Sequence, residues 1–262
     1  MSQPLAADLD LALTMADLAD VITMQHFQSS TLIIESKPDL TPVTEADRAA
    51  EQALRAVLAE QRPFDDILGE EFGASAQTSA RRWIIDPIDG TKNYVRGVPV
   101  WSTLIALTVD DVPVMGVVSA PALGRRWWAA AGTGAWTSVF GAAAQQLSVS
   151  AVAQLEDASF SYSDAIGWKE RGALEGLQDL NTTTWRQRAY GDFWSHMLVA
   201  EGAIDISAEP ELGAWDMAAL IPIITEAGGT ATAFDGGPAL AGGCLVATNG
   251  LLHGPVLDRL KR

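Results

Sequence analysis

Apolar residues recur at helical spacing near the start of the chain, where Leu11, Met15, Leu18 and Ile22 follow one another at steps of four, three and four. This rhythm predicts an amphipathic helix over residues 5–27, with Asp8, Asp17, Asp20 and Gln25 on its other side. The polar stretch SKPDLTPVTEAD comes next, and Pro38 and Pro42 keep it out of a helix. A second helix is predicted from Thr44 to about Glu60, with Ala50, Ala53, Leu54, Val57 and Leu58 on one side and Pro63 marking its end. Beyond Pro63 the pattern changes to short apolar runs between turn residues. Residues 83–85, 102–108, 114–119 and 127–131 read as strands. The GTGA at 132–135 reads as a hairpin turn and not a dinucleotide fingerprint, because Thr137 stands where the third glycine should fall.

A small, polar segment, GAAAQQLSVS, lies near 140–150. It marks a seam between an N-terminal half, residues 1–145, and a C-terminal half, residues 146–262. In the second half residues 158–162 and 203–207 read as strands and 193–201 as a helix ended by Gly202. Residues 217–227 form a further helix, closed by Gly228 and Gly229. Strands and helices mix in both halves, so the expected class is α+β or α/β.

Charge then narrows the partners. The 262 residues carry 33 Asp and Glu against 17 Lys and Arg, a net charge of −16. Nucleic acid and anionic membrane surfaces need a basic face and are excluded as partners. A phosphate compound can still bind, provided metal cations mediate the contact. With 48% hydrophobic and 19% charged residues, the chain can build a sizeable core. Cys244 is the single cysteine, which excludes an internal disulfide, and it reads as a buried, inert thiol. The first residues are acidic rather than basic as in a signal peptide, and no apolar run approaches the ~18 residues of a membrane span. A cytoplasmic protein is expected.

Three segments concentrate carboxylates: Gly69-Glu70-Glu71, Asp86-Pro87-Ile88-Asp89-Gly90-Thr91, and Trp215-Asp216. Each has an ordinary structural use. Asp89-Gly90 is a common turn pair, Asp216 suits a helix cap, and Glu70 and Glu71 suit solvent. Together they suggest more. Asp86 and Asp89 can face one point across the Pro87 turn, with the Ile88 carbonyl between them, and hard oxygen donors of this kind suit Mg²⁺ or Mn²⁺. Gly90 and Thr91 then offer backbone N–H groups where the next helix starts. By contrast His26, His196 and His253 show no metal-ligand spacing; His196, one turn after Asp192, reads as a packed or surface residue.

In these motifs the chain resembles the lithium-sensitive, magnesium-dependent phosphatases typified by inositol monophosphatase. Their signatures are GEE, DPIDGT and a WD preceding TEAGG. They stand here at 69–71, at 86–91, and at Trp215-Asp216 followed by Thr225-Glu226-Ala227-Gly228-Gly229, and the match runs from Lys37 to Asn249. The resemblance implies a five-layered αβαβα sandwich, a homodimer, and two or three Mg²⁺ per site, with Mn²⁺ as an alternative. It assigns Glu70, Asp86, the Ile88 carbonyl, Asp89 and Asp216 as metal ligands. Glu70 and Thr91 would orient and help deprotonate the attacking water, with Thr91 paired to Asp47 of Thr44-Glu45-Ala46-Asp47. That segment also has capping-box spacing, and the two roles are compatible.

The substrate is expected to be a small phosphate ester, held by Asp89, Gly90, Thr91, Arg188, Asp192, Glu209 and Asp216. Inositol-type members carry a small hydroxyl residue where this chain has Asp192. An anionic side chain there suits a substrate that bears a cation. Arg188 suits a phosphate or hydroxyl, or a pairing with Glu209. Tyr190, Phe193 and Trp194 suit either a flat ring or core packing. Lys92 and Arg96 suit the anion or solvent. A phosphate ester with an ammonium and an imidazole, L-histidinol phosphate, fits these features, and segments such as YGDFWS and LVAEGAIDISAEPELGAWD resemble the actinobacterial branch acting on it. Inositol-1-phosphate or a broader set of sugar phosphates is the alternative. Bisphosphates call for more basic residues than Arg186 and Arg188. A regulatory interaction protein that keeps the fold without turnover is a further alternative, and the intact set of Glu70, Asp86, Asp89, Thr91 and Asp216 speaks against it.

Overall fold

The computed structural model describes residues 3–36, 41–75 and 78–261. Lys37, where the resemblance begins, and Pro38 of the polar stretch lie outside the described residues. The first half runs α1 (Gln3–His26), β1 (Ile34–Ser36), β2 (Pro42–Thr44), α2 (Glu45–Gln61), β3 (Asp66–Gly69), β4 (Gly73–Ala74), β5 (Arg81–Asp89), α3 (Thr91–Val95), β6 (Ser102–Val109), β7 (Val112–Ala120), β8 (Arg125–Ala130), β9 (Ala135–Val139) and β10 (Gln145–Gln146). The second runs β11 (Ser159–Ser161), α4 (Leu174–Thr183), β12 (Arg186–Gln187), α5 (Asp192–Ala200), β13 (Ile206–Glu209), α6 (Ala214–Met217), α7 (Leu220–Glu226), β14 (Thr230–Thr232), α8 (Ala239–Gly242), β15 (Leu245–Thr248) and α9 (His253–Leu260).

Strand periodicity builds five layers from these elements. In the eight-stranded sheet, ordered β10-β9-β8-β7-β6-β5-β3-β4, alternate residues point to opposite faces. Trp83, Ile85, Ile105, Leu107, Met115 and Val117 face α1 and α2, whose Met15, Ala16, Leu54 and Leu58 cover them. Ile84, Leu104, Ala106, Val118 and Trp127 face the other way, onto Phe193 and Met197 of α5 and Leu220 and Ile223 of α7. That middle helical layer also meets Leu245 and Ala247 of the five-stranded sheet, ordered β12-β11-β13-β15-β14. The remaining face of this sheet, with Phe160, Ile206, Ala208 and Val246, packs on Leu177 and Leu180 of α4 and Val256 and Leu260 of α9. The stack is therefore helix, sheet, helix, sheet, helix, as the αβαβα expectation has it.

Two expected elements differ, each for a local reason. The strand expected at 203–207 begins only at Ile206, because Ala203 and Ile204 both donate to the Leu198 carbonyl, at 2.9 and 3.2 Å, and close α5. The helix expected at 217–227 is split into α6 and α7. Pro222 has no N–H for the Ala218 carbonyl, so the helical ladder breaks there and restarts at Leu220. The break lies on β7 at Gly116, where a Cβ would come within 2.1 Å of the Ala219 carbonyl oxygen, so only glycine fits. Among the described residues no helix is long and apolar enough to cross a membrane.

Candidate active site

In a regular strand, residues three apart point to opposite faces. Asp86 and Asp89 escape this rule because β5 carries a bulge: Asp86 pairs with Leu104 and Asp89 with Ser102, so three steps on β5 match two on β6. Pro87, which lacks an N–H, sits inside the bulge, and its carbonyl accepts from Thr103 Oγ1 at 2.8 Å. Behind it Ile88 is wedged against Tyr94 and Trp101, whose rings meet edge-on at 4.9 Å. The turn is thus held from both sides and aims both carboxylates one way.

Asp216 reaches the same point from the start of α6, where the Gly213 N–H donates to its Oδ2 at 2.6 Å. Carboxylate oxygens of Asp86, Asp89 and Asp216 lie within 4.8 Å of one another. Glu70, in the turn after β3, shares a hydrogen bond with Asp86, which also reaches Asp216. Asp89 Oδ2 accepts the Phe193 N–H at 2.9 Å, which ties the first half to α5. The Ile88 N–H caps Asp86 Oδ1 at 2.9 Å, and the Ile88 carbonyl accepts from Thr91 Oγ1 at 3.0 Å. Four acidic side chains converge, an all-oxygen donor set that fits hard divalent cations.

Burial and mutual repulsion leave these groups costly to ionise. Desolvation first, then the charges of Glu70, Asp89 and Asp216, push Asp86 well above the usual carboxylate range. Asp89 moves the same way, through burial and then Asp192 and Asp216. Asp216 is pushed up to about 7, chiefly by burial, against the opposing Gly213 N–H. A group whose folded pKa is raised holds its proton when folded and releases it when unfolded. In metal-free protein these carboxyls therefore contribute most stability below about pH 4 and lose it as pH rises toward 7. In EDTA the thermal midpoint should accordingly fall from about pH 5 to about pH 8, and Mg²⁺ should raise it more at the higher pH. An Mg²⁺ effect equal at both pH values, followed by differential scanning fluorimetry, would contradict this electrostatic picture.

The cluster opens into a cleft of about 730 Å³. Glu70, Asp89, Gly90, Thr91, Asp192, Glu209 and Asp216, all expected from sequence, line it. Gly90 stands at φ +84°, where a Cβ would approach the Val100 carbonyl at 3.0 Å and Asp192 Oδ2 at 3.2 Å. Asp192, at φ +43°, accepts from Asn93 Nδ2 at 3.0 Å, and its N–H donates to Ser163 Oγ at 3.2 Å. Ser163 in turn donates N–H and Oγ to Glu209 Oε1, at 2.7 and 2.8 Å. Burial pushes Glu209 up to about 8, against these two donors, and raises Asp192 against the opposing charge of Lys92. Asp164 lines the cleft beside them. One wall thus carries further carboxyls: Glu209 buried, Asp192 half-buried and close enough to raise Asp89, and Asp164 exposed at the edge.

Some expectations need correction. Thr91 does not pair with Asp47. Its hydroxyl is spent on the Ile88 carbonyl, and Asp47 Oδ2 is held by the Thr44 N–H at 2.8 Å and Thr44 Oγ1 at 2.5 Å in the capping box of α2. Asp47 Oδ1 stays buried without a hydrogen bond, and desolvation raises the carboxyl to about 7. Arg188 does not enter the cleft. It is exposed, donates to the Gln187 carbonyl at 2.6 Å, and makes no ion pair with Glu209, whose near oxygen faces Ser163. Arg96 also stays outside, whereas Lys92 lines the rim. Phe193 is core, edge-on to Trp127 at 5.9 Å, and Tyr190 and Trp194 pack on each other. His196 lines the cleft wall fully buried, pushed down to about 3 by desolvation and hence neutral, while Cys244 is buried as expected. Ser163 and Asn93 escaped the sequence reading because their partners Glu209 and Asp192 lie 46 and 99 residues away, and Asp164 escaped it because it belongs to no motif.

Comparison with known proteins identifies the family and agrees with the fold. The model of the inositol monophosphatase family matches residues 6–261. The chain is 58% identical over 253 residues to a histidinol-phosphatase of Mycobacterium tuberculosis, covering 97% of both chains. It is 56% identical over 259 residues to a histidinol-phosphatase of Streptomyces coelicolor, again covering 97% of both. Among solved structures, the extragenic suppressor protein suhB of Bartonella henselae superposes with a TM-score of 0.88 at 28% identity, over 98% of this chain and 99% of that one. An IMPase of Thermotoga maritima gives 0.85 at 28% identity, over 97% of each. The chain therefore belongs to the inositol monophosphatase family.

Proposed function

We propose that the chain is a Mg²⁺-dependent phosphomonoesterase that hydrolyses L-histidinol phosphate to L-histidinol and phosphate, a step of histidine biosynthesis. One observation carries the reading: three carboxylates converge within 4.8 Å of one another at a cleft that two of them, Asp89 and Asp216, line, and Asp192 and Glu209 stand on the wall of the same cleft. The converging carboxylates suit divalent cations and hence a phosphate; the wall suits a cationic organic part. Kinship to histidinol-phosphatases at 58 and 56% identity supports the same substrate.

Glu70, Asp86, the Ile88 carbonyl, Asp89 and Asp216 would hold two or three Mg²⁺, or Mn²⁺ in their place. Bound there, the cations would supply Lewis acidity that lowers the pKa of water and offsets the charge of the phosphate oxygens. Thr91, whose proton lies on the Ile88 carbonyl, keeps lone pairs with which to accept a hydrogen bond from the attacking water and fix its direction. Glu70, which lines the same cleft, takes up the proton that the water loses. Asp192 and Glu209, linked through Ser163, receive the substrate ammonium and are ionised by it. Residues 1–145 would supply most of the metal site and residues 146–262 the selective wall plus Asp216. A homodimer is part of the proposal, to be read from sedimentation.

The test is phosphate release from L-histidinol phosphate after EDTA treatment. Activity should vanish in EDTA and return with Mg²⁺ or Mn²⁺. Undiminished turnover in EDTA would overturn the reading.

A further inference from the structure

One carboxylate outside the cleft is fully buried without belonging to the metal cluster. Glu51 lies on α2, one helical turn after Asp47, with no exposed surface. Its Oε2 accepts the Glu71 N–H at 2.7 Å and its Oε1 accepts the Phe72 N–H at 3.2 Å. Arg55, one turn further along, neutralises it at 2.7 Å and continues to the Gly73 carbonyl. The chain has been cleared to admit this carboxylate: a Cβ on Gly69 would lie 1.9 Å from Glu51 Oε1, inside any allowed contact. On the other side of the turn the Glu70 N–H donates to the Ile85 carbonyl at 3.2 Å, next to Asp86. Glu70 is therefore gripped between two fixed points, Ile85 of β5 before it and Glu51 of α2 after it.

We propose that Glu51, neutralised by Arg55, is a positioning residue for the cation site, holding the 70–72 turn by its amides so that Glu70 faces Asp86. A buried anion with two N–H donors and a guanidinium is a stiff anchor, because each lost partner would leave a charged or polar group buried and unsatisfied. An amide in its place brings an NH₂ against an N–H and leaves Arg55 without its counter-charge, bonded still to the Gly73 carbonyl. The inference rests on the cation-site reading above, in that the turn matters to function only if Glu70 binds metal.

Two variants test it by different routes: Glu51→Gln removes the charge, and Gly69→Ala displaces the carboxylate. Asp8→Asn is the control, a buried aspartate of α1 that pairs with Arg62 at 2.8 Å and Arg81 at 2.9 Å, away from the turn. In metal-free protein, hydrogen exchange at the Glu71 and Phe72 amides should speed up about tenfold or more in both variants and stay unchanged in Asp8→Asn. Calorimetric titration with Mg²⁺ should give an affinity about 10–100-fold weaker in both variants, with the control equal to wild type. Unchanged exchange at these amides, or unchanged Mg²⁺ affinity despite faster exchange, would overturn the role of Glu51. Wild-type protein that binds no Mg²⁺ would instead overturn the cation-site reading, and the exchange readout, taken without metal, would still decide whether Glu51 holds the turn.

Discussion

Asp89→Asn is expected to lower kcat at saturating Mg²⁺ by about two to three orders of magnitude, the loss typical when one preorganised electrostatic group leaves an active site. The substitution preserves volume, and the new side-chain oxygen can still accept the Phe193 N–H that Asp89 Oδ2 accepts at 2.9 Å. What it removes is one of the three converging charges. The same removal relieves repulsion among buried carboxyls, so the variant should melt no lower than wild type in EDTA at about pH 8, and should gain less from added Mg²⁺. Activity and metal-free stability move apart because the site holds charges together for a ligand, not for the fold. Phosphate release and thermal midpoints measured on one preparation check both statements. Near-normal turnover would contradict the metal assignment.

Asp192→Asn should reduce kcat/KM for L-histidinol phosphate by about tenfold to a hundredfold, since a hydrogen bond to a charged group is worth about 1.5–3 kcal/mol. Asparagine tolerates the left-handed backbone that Asp192 adopts, at φ +43°, and it can still accept from Asn93. Charge is the main difference. Inositol-1-phosphate carries no cation, so its kcat/KM should be unchanged or higher. Equal losses on both esters would show that Asp192 supports the cleft rather than selecting the substrate.

The floor of this site was legible in the sequence because its parts are local. Asp86, Ile88 and Asp89 sit in one bulged strand end, and Asp216 opens a helix; short motifs of that kind carry their geometry with them. The long strands of the first sheet were legible for the same reason, as apolar runs between turns. In the second sheet, strands of two to four residues such as β12 and β14 leave no periodicity to read. Relations across the chain were likewise hidden. Ser163 meets Glu209 across 46 residues, Asn93 meets Asp192 across 99, and Glu51 meets Glu71 across 20. Arg188 shows the opposite error. Its position near Asp192 suggested the cleft, but the strand before it sends the side chain out to solvent. Thr91 and Asp47 were expected as a pair from the resemblance, and the local demand of a helix cap claimed Asp47 instead.

Substrate choice is the central claim, and the most direct measurement is kcat/KM in Mg²⁺ for L-histidinol phosphate beside inositol-1-phosphate. With two carboxyls available to the ammonium, a preference of about a hundredfold or more for L-histidinol phosphate is predicted. Equal or faster hydrolysis of inositol-1-phosphate would leave the cation site standing and contradict the role given to Asp192 and Glu209.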